Sequence, residues 1–245
     1  MESYARRRPI AMRREQFSLT TNRMLVYFTP NTISESLCLL VAIFCLSKDR
    51  SNYWRIFILY LLLTCLTEFA GIFIRRELHR PNFAVYNIHK AIEGGVISYF
   101  FYYLLHPYRN VARWLQIWLV FFAVAYTAEL WANHFGAFVF KTTTAMSVVF
   151  VIACLYYYYL MLRDDQFRSL WSDAPFWWVS GTLFFYFGST ACNLFFEYLA
   201  EDKTQLFRNS VRHIIFIILD IVLYASWSYS FICRYRQRIL SSLSR

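Results

Sequence analysis

The chain has 245 residues, of which 58% are hydrophobic, 21% aromatic and only 16% charged. An average soluble domain is roughly 45–50% apolar and about 25% charged, so this composition argues against one soluble core and indicates a membrane protein. The formal net charge is +10. Its arginines lie in tails and loops between apolar stretches, where they would face lipid headgroups, and we therefore expect no nucleic-acid partner.

Seven apolar segments are each close to the length that crosses a hydrocarbon core of about 30 Å as a helix. In chain order they cover residues 31–47, 53–74, 83–105, 112–133, 138–162, 175–199 and 209–233. The apolar runs are continuous rather than alternating, which favours helices over a β-barrel. We predict an all-α integral membrane protein, a bundle of seven transmembrane helices with short loops. A basic tail at 1–23 precedes the transmembrane domain at 24–233, and a basic tail at 234–245 follows it.

Side A denotes the membrane face that holds the N-terminus, and side B denotes the opposite face. Lysines and arginines number 13 on side A and 11 on side B if Lys90 is placed within a span, so the positive-inside rule does not decide the orientation. Arg234, Arg236 and Arg238 close the last span on side B. From them we expect a cytoplasmic C-terminus.

Intramembrane polar residues predict a site. Ionisable side chains inside a bilayer are costly and usually mark a cavity, a pathway or a paired cluster. Because odd spans run from side A to side B and even spans run back, all the candidates fall in the half next to side A or at the midplane. They are Glu35, Glu68, His89, Lys90, Glu93, Glu129, Asn193, His213 and Asp220. We therefore predict a polar cavity open to side A, with Glu93 and Asp220 at its floor.

Several chemistries fit these residue types. No cofactor is predicted, although a divalent metal held by His89, Glu93, His213 and Asp220 is an alternative. Seven-helix lipid hydrolases of the alkaline-ceramidase and adiponectin-receptor type use three membrane histidines, and the two within these spans depart from that pattern. Acid–base hydrolysis of a lipid-like substrate by carboxylates such as Glu68 is another alternative. The last span has no lysine for a retinal Schiff base.

Two segments, TEFAG at 67–71 and YNIHKAIEGG at 86–95, resemble those of small seven-helix bacterial membrane proteins. The resemblance implies the inner membrane of a bacterium and no activity. Our leading interpretation is a sensor or receptor-like module that binds a small ligand or lipid headgroup in the side-A cavity. An intramembrane lipid-modifying hydrolase or transferase is the first alternative, so whether the chain is an enzyme stays open. A structural subunit whose polar residues bind a partner helix is the second.

Overall fold

The computed structural model describes residues 27–164, 169–195 and 211–243, which form helices and short connections without a strand. The α-helices are α1 (Pro30–Leu46), α2 (Asn52–Arg76), α3 (Phe83–Leu105), α4 (Ala112–Ala132), α5 (Phe140–Leu162), α6 (Ala174–Leu194) and α7 (Val211–Leu243), with a 3₁₀ turn at Leu170–Ser172. They match the first five predicted segments to within two residues, whereas α6 ends at Leu194 and the predicted positions 196–199 and 209–210 lie outside the described residues. The predicted tail at 1–23 lies outside the described residues. At the other end, α7 continues to Leu243, well past the predicted end at 233.

Within the described residues, four helices are long and apolar enough to cross a membrane, which indicates a membrane protein. These spans cover Asn52–Arg76, Ala112–Ala132, Phe140–Leu162 and His213–Ser241. Large apolar side chains on the outer faces of these helices are exposed, for example Val120 at 65% and Ile152 at 59%. An apolar surface of this kind is stable against lipid and unfavourable against water.

Capping residues explain where two of the helices begin. The Thr29 hydroxyl accepts a hydrogen bond from the backbone N–H of Thr32, and Pro30 opens α1. The Asp173 carboxylate accepts from the N–H of Phe176, in the first turn of α6. Both are standard ways to satisfy the free N–H groups of a first turn.

Six of the helices form a closed ring. Going round it, α1 packs on α2, α2 on α3, α3 on α5, α5 on α6, α6 on α7, and α7 returns to α1. Helix α4 lies outside this ring against α3 and α5, and Phe122 is the one residue of α4 that is buried. The phenyl ring of Phe122 fills the space beside Gly94, whereas Gly95 faces open space.

Aromatic side chains fill one half of the ring, at the end where α1 finishes and α2 begins, which is the end predicted to lie at side B. Trp178 and Trp227 stack with their ring centroids 5.5 Å apart, and Phe57, Phe100 and Phe231 pack around them. All five residues are at most 1% exposed. Contacts of this type add to the stability gained by burying their large surfaces. The ring therefore has a closed, apolar half next to side B, which we call the aromatic plug.

A buried ion pair holds α1 and α7 together at side B. Asp49, just after α1, accepts from Nε of Arg234 at 2.9 Å and from the N–H of Ser51 at 2.7 Å. Burial acts to raise the pKa of Asp49, but the bonds from Arg234 and Ser51 outweigh it, and the pKa lies below its usual value. The Arg234 guanidinium also lies 5.5 Å over the ring of Trp54. The sequence pattern marked this loop only as a connection between spans.

Candidate functional site

A cavity of about 1470 Å³ occupies the side-A half of the ring. Its lining extends from Tyr60 and from Trp227 of the aromatic plug to Arg76 and Asn82 at the side-A ends of α2 and α3. Eight of the nine predicted residues line it: Glu35, Glu68, His89, Lys90, Glu93, Asn193, His213 and Asp220. The cavity thus brings together carboxylates from α1, α2, α3 and α7.

The deepest carboxylate is already paired. Glu93 is 3% exposed, and its oxygens lie 2.7 and 3.0 Å from the Lys90 ammonium one turn earlier on α3. The hydroxyl of Tyr186 on α6 donates to the same carboxylate at 2.6 Å. These bonds satisfy Glu93 and connect α3 to α6 across the cavity. Glu93 therefore has a structural role, because it joins two helices of the ring.

His89 lies between Thr64 on α2 and Glu93 on its own helix. Its Nε2 is 3.0 Å from the Thr64 hydroxyl, and its Nδ1 is 3.6 Å from a Glu93 oxygen. The Thr64 hydroxyl is also 3.0 Å from the carbonyl oxygen of Tyr60, to which it donates. A hydroxyl has one proton. The contact with Nε2 is then made either by a hydrogen on Nε2 or by sharing the Thr64 hydrogen with the Tyr60 carbonyl, and Nδ1 faces Glu93.

Glu68 takes part in a separate contact near the mouth. The Tyr86 hydroxyl of α3 donates to Glu68 at 2.9 Å. A Cβ at Gly71 would lie only 2.6 Å from that hydroxyl oxygen, so glycine leaves the space that Tyr86 occupies. The Asn82 amide adds a bond to the carbonyl of Gly71 at 3.1 Å. Together these contacts close the α2–α3 side of the cavity.

The α1–α7 side of the cavity has too few donors. The Asn31 amide donates to Asp220 at 2.8 Å, and the Tyr224 hydroxyl is 3.5 Å from one oxygen of Glu35, the limit of a hydrogen bond. The other oxygen of Glu35 and the amide oxygen of Asn31 are buried and have no hydrogen-bond partner among the described residues. Glu35 is 6% exposed. Within the described residues, two buried acceptors one helical turn apart on α1 are therefore unsatisfied, and both belong to residues that line the cavity.

Glu129 does not line the cavity, although its depth in the fourth span placed it among the candidates. It lies on α4, outside the ring, and its carboxylate accepts from the N–H groups of Lys141 and Thr142 and from the Thr142 hydroxyl. It therefore caps the first turn of α5. Sequence position predicted its side of the membrane, but not that α4 is peripheral.

Two candidates contribute little to the deep cavity. The Asn193 amide donates to the Thr144 hydroxyl at 3.2 Å, which ties α6 to α5. His213 lines the cavity from the first turn of α7. Neither contacts another of the predicted site residues through a hydrogen bond within the described part of the chain.

Sequence reasoning missed the aromatic donors and the floor. Tyr186 and Tyr224 direct their hydroxyls at Glu93 and Glu35, and Trp227 closes the bottom. A periodicity signal was present, because Tyr186 lies seven residues before Asn193 and Tyr224 lies four after Asp220, so each shares a helix face with a predicted residue. Tyrosines are so frequent in this chain that this spacing carried little weight.

Among the described residues, no group of three or more His, Cys, Asp or Glu side chains is placed to hold a metal ion. Of the four residues considered for a metal, His89 and Glu93 lie on α3 and contact each other. His213 and Asp220 lie on α7, and Asp220 bonds to Asn31.

No known protein family, curated protein sequence or solved structure matches this chain. Its function therefore has to be inferred from the chemistry of the cavity.

Proposed function

We propose that the chain crosses the membrane seven times and binds a small polar ligand or lipid headgroup in its side-A cavity, as a sensor or receptor-like module. The single observation behind this is the cavity itself. It has about 1470 Å³ and carries carboxylates from four helices. Typical ligand sites have roughly 300–1,000 Å³, so there is room for a small molecule and water.

The packing of the helices in the ring supports seven crossings of the membrane. Each of α1, α3 and α6 packs between two of the helices that are apolar and long enough to span. Each also exposes large apolar side chains, such as Leu37 at 57%, Ile88 at 64% and Phe187 at 65%. Helix α1 is the shortest, and its 17 residues extend about 26 Å. A few ångströms of mismatch can be absorbed by local thinning of the bilayer.

The aromatic plug favours a binding site over a channel. A water path from the cavity to side B would have to pass Phe57, Phe100 and the stacked pair Trp178–Trp227, all buried. The cavity is consequently open to one side only. This is the arrangement expected of a module that senses a ligand arriving from side A or from the adjacent leaflet.

We also propose a cytoplasmic C-terminus and a bacterial inner-membrane location. The basic end of α7 supports the orientation, because Arg234, Arg236 and Arg238 follow one another on side B. The resemblance of the α2 and α3 segments to bacterial proteins supports the location.

A lipid-modifying hydrolase is the second candidate, and one row of three side chains favours it. Thr64, His89 and Glu93 place a hydroxyl, an imidazole and a carboxylate in series, which is the order of a nucleophile, its base and the orienting group. The Tyr60 carbonyl ranks this function below ligand binding. It lies 3.0 Å from the Thr64 hydroxyl and accepts its single hydrogen, which a base at His89 would have to take.

The test is ligand-dependent stabilisation of the purified protein. A panel of small amines, carboxylates, sugars, phosphates and lipid headgroups is added to the protein in detergent, and the melting temperature is followed by tryptophan fluorescence. We expect at least one compound to raise it, since a ligand at 100 times its Kd stabilises by about 2.7 kcal/mol. The Asp220→Asn variant should lose that response.

Glu77→Gln is the matched control, because Glu77 is exposed just after α2 and does not line the cavity. This variant should respond like the parent. Stabilisation that persists in Asp220→Asn would place the ligand elsewhere, and a panel without any response would contradict the binding function. Turnover of a lipid ester that Thr64→Val abolishes would instead establish the hydrolase.

A further inference from the structure

The two unsatisfied acceptors on α1 restrict what the cavity can bind. Glu35 offers a carboxylate oxygen and Asn31 an amide oxygen, both buried and both without a donor in the part of the chain that the structure describes. Leaving a buried polar group unpaired costs roughly 1–3 kcal/mol, and more if the group is charged. An ionised carboxylate and an amide oxygen can only accept, so a partner that satisfies both has to donate.

The cations of the lining do not supply that donor. Lys90 is held by Glu93 at 2.7 Å. Arg75 and Arg76 are in the last turn of α2, at the mouth. Among the described residues, Glu35 and Asp220 form no salt bridge. Within the described residues, no cation is therefore paired with the two carboxylates and the amide oxygen on the α1–α7 side of the cavity.

The surroundings distinguish an ammonium group from a metal ion. The rings of Tyr60, Tyr224 and Trp227 line the same region, and aromatic faces attract organic cations. A hard metal ion would need six or more oxygen ligands. No cluster of three metal-ligating side chains is present in the described part of the chain.

We propose that Glu35, Asn31 and Asp220 form a subsite for a primary ammonium group. An ammonium carries three N–H donors and no acceptor. It matches the carboxylate of Glu35, the amide oxygen of Asn31 and the carboxylate of Asp220, one donor to each. The inference rests on the proposed function, since it names the charged group of the ligand that the cavity takes. The ammonium belongs either to a free amine or to the ethanolamine headgroup of a lipid.

The experiment compares probes that differ in their N–H groups. The full-length protein is titrated with ethanolamine, choline and KCl at equal ionic strength, and the melting temperature is followed. In a second arm, nanodiscs of phosphatidylethanolamine are compared with nanodiscs of phosphatidylglycerol. We expect ethanolamine or phosphatidylethanolamine to stabilise the protein, whereas choline, which has no N–H donor, and K⁺ do not.

Glu35→Gln is the decisive variant. It keeps the shape of the side chain and removes the charge, so the apparent Kd for the stabilising amine should rise at least tenfold. Because it removes an unpaired buried carboxylate, the unliganded variant should melt no lower than the parent, which separates binding from folding. Glu77→Gln should keep the parent's affinity.

The outcomes separate the subsite from the broader proposal. Stabilisation by ethanolamine identifies a free amine, and stabilisation by phosphatidylethanolamine alone identifies the lipid, both in support. Equal effects of choline or K⁺, or an amine response that Glu35→Gln leaves unchanged, would overturn the ammonium subsite. A cavity ligand that is not an amine, lost in Asp220→Asn but retained in Glu35→Gln, would overturn the subsite while leaving the binding function intact.

Discussion

Removing the counter-ion of Glu93 tests whether the deep ion pair is a structural element. In Lys90→Met the Glu93 carboxylate stays 3% exposed and keeps one donor, the Tyr186 hydroxyl at 2.6 Å. Removing one partner of a buried pair typically costs about 3–5 kcal/mol, because the other charge is left uncompensated. Because the bond from Tyr186 remains, we expect the free energy of unfolding to fall by an amount at the low end of that range, about 3 kcal/mol.

Replacing the carboxylate of the pair should lower the free energy of unfolding less than replacing its lysine. In Glu93→Gln, Lys90 keeps a side chain that is 23% exposed and lines a polar cavity, so water and other carboxylates can solvate the ammonium. We expect a loss of about 1–2 kcal/mol, near that of a lost hydrogen bond to a charged group. The double variant removes both charges and should lose less than the two single variants together, with a coupling of roughly 2 kcal/mol.

Thermal unfolding in detergent, followed by tryptophan fluorescence, measures all three variants. In chains of this size 1 kcal/mol shifts the melting temperature by roughly 2–4 °C, so Lys90→Met should melt about 6–12 °C below the parent. Lys141→Met is the control, since Lys141 is an exposed lysine at the start of α5. A Lys90→Met protein that melts within about 2 °C of the parent would refute the buried-pair reasoning.

Two further predictions concern residues outside the cavity. Glu129→Ala removes the cap of α5, so we expect a loss of about 0.5–2 kcal/mol in unfolding free energy and no change in ligand affinity, both measured by thermal shift. Asp49→Asn tests the side-B ion pair through pH. The folded-state pKa of Asp49 lies below the unfolded value, about 3.9, so its contribution is complete above that pH and is lost as the pH falls through the folded pKa. The melting difference between parent and Asp49→Asn should be large at pH 7 and should shrink below about pH 4, and a constant difference would contradict the assignment.

Hydropathy was sufficient to predict the helices. Continuous apolar runs separated by short polar loops define segment ends to within a few residues, because the bilayer selects for length and composition. Helix α7 is the exception. Residues 234–238 are polar and basic, so a hydropathy window ends before them, but the backbone remains helical to Leu243.

Which residues line the cavity was partly predictable from the sequence. Which of them contact one another was not. Helix direction and depth together placed eight residues in one cavity, since both follow from the order of the segments. The choice of partners depends on which helices are neighbours. Nothing in the sequence says that α3 packs against α5 while α4 stays outside, and that neighbour order turns Glu129 into a cap.

The odd number of helices explains why the α1–α7 side of the cavity has too few donors among the described residues. With seven helices, the first and the last run in the same direction, and the contacts follow that direction: Asn31 meets Asp220, Glu35 meets Tyr224, and Asp49 meets Arg234. With one helix more or fewer before it, the last helix would run in the opposite direction. The basic end of α7 would then lie beside Asn31 and Glu35 and supply the donors that these acceptors lack. The arginines are instead at the other end of α7, where Arg234 pairs with Asp49, and within the described residues the acceptors at the cavity have no donor.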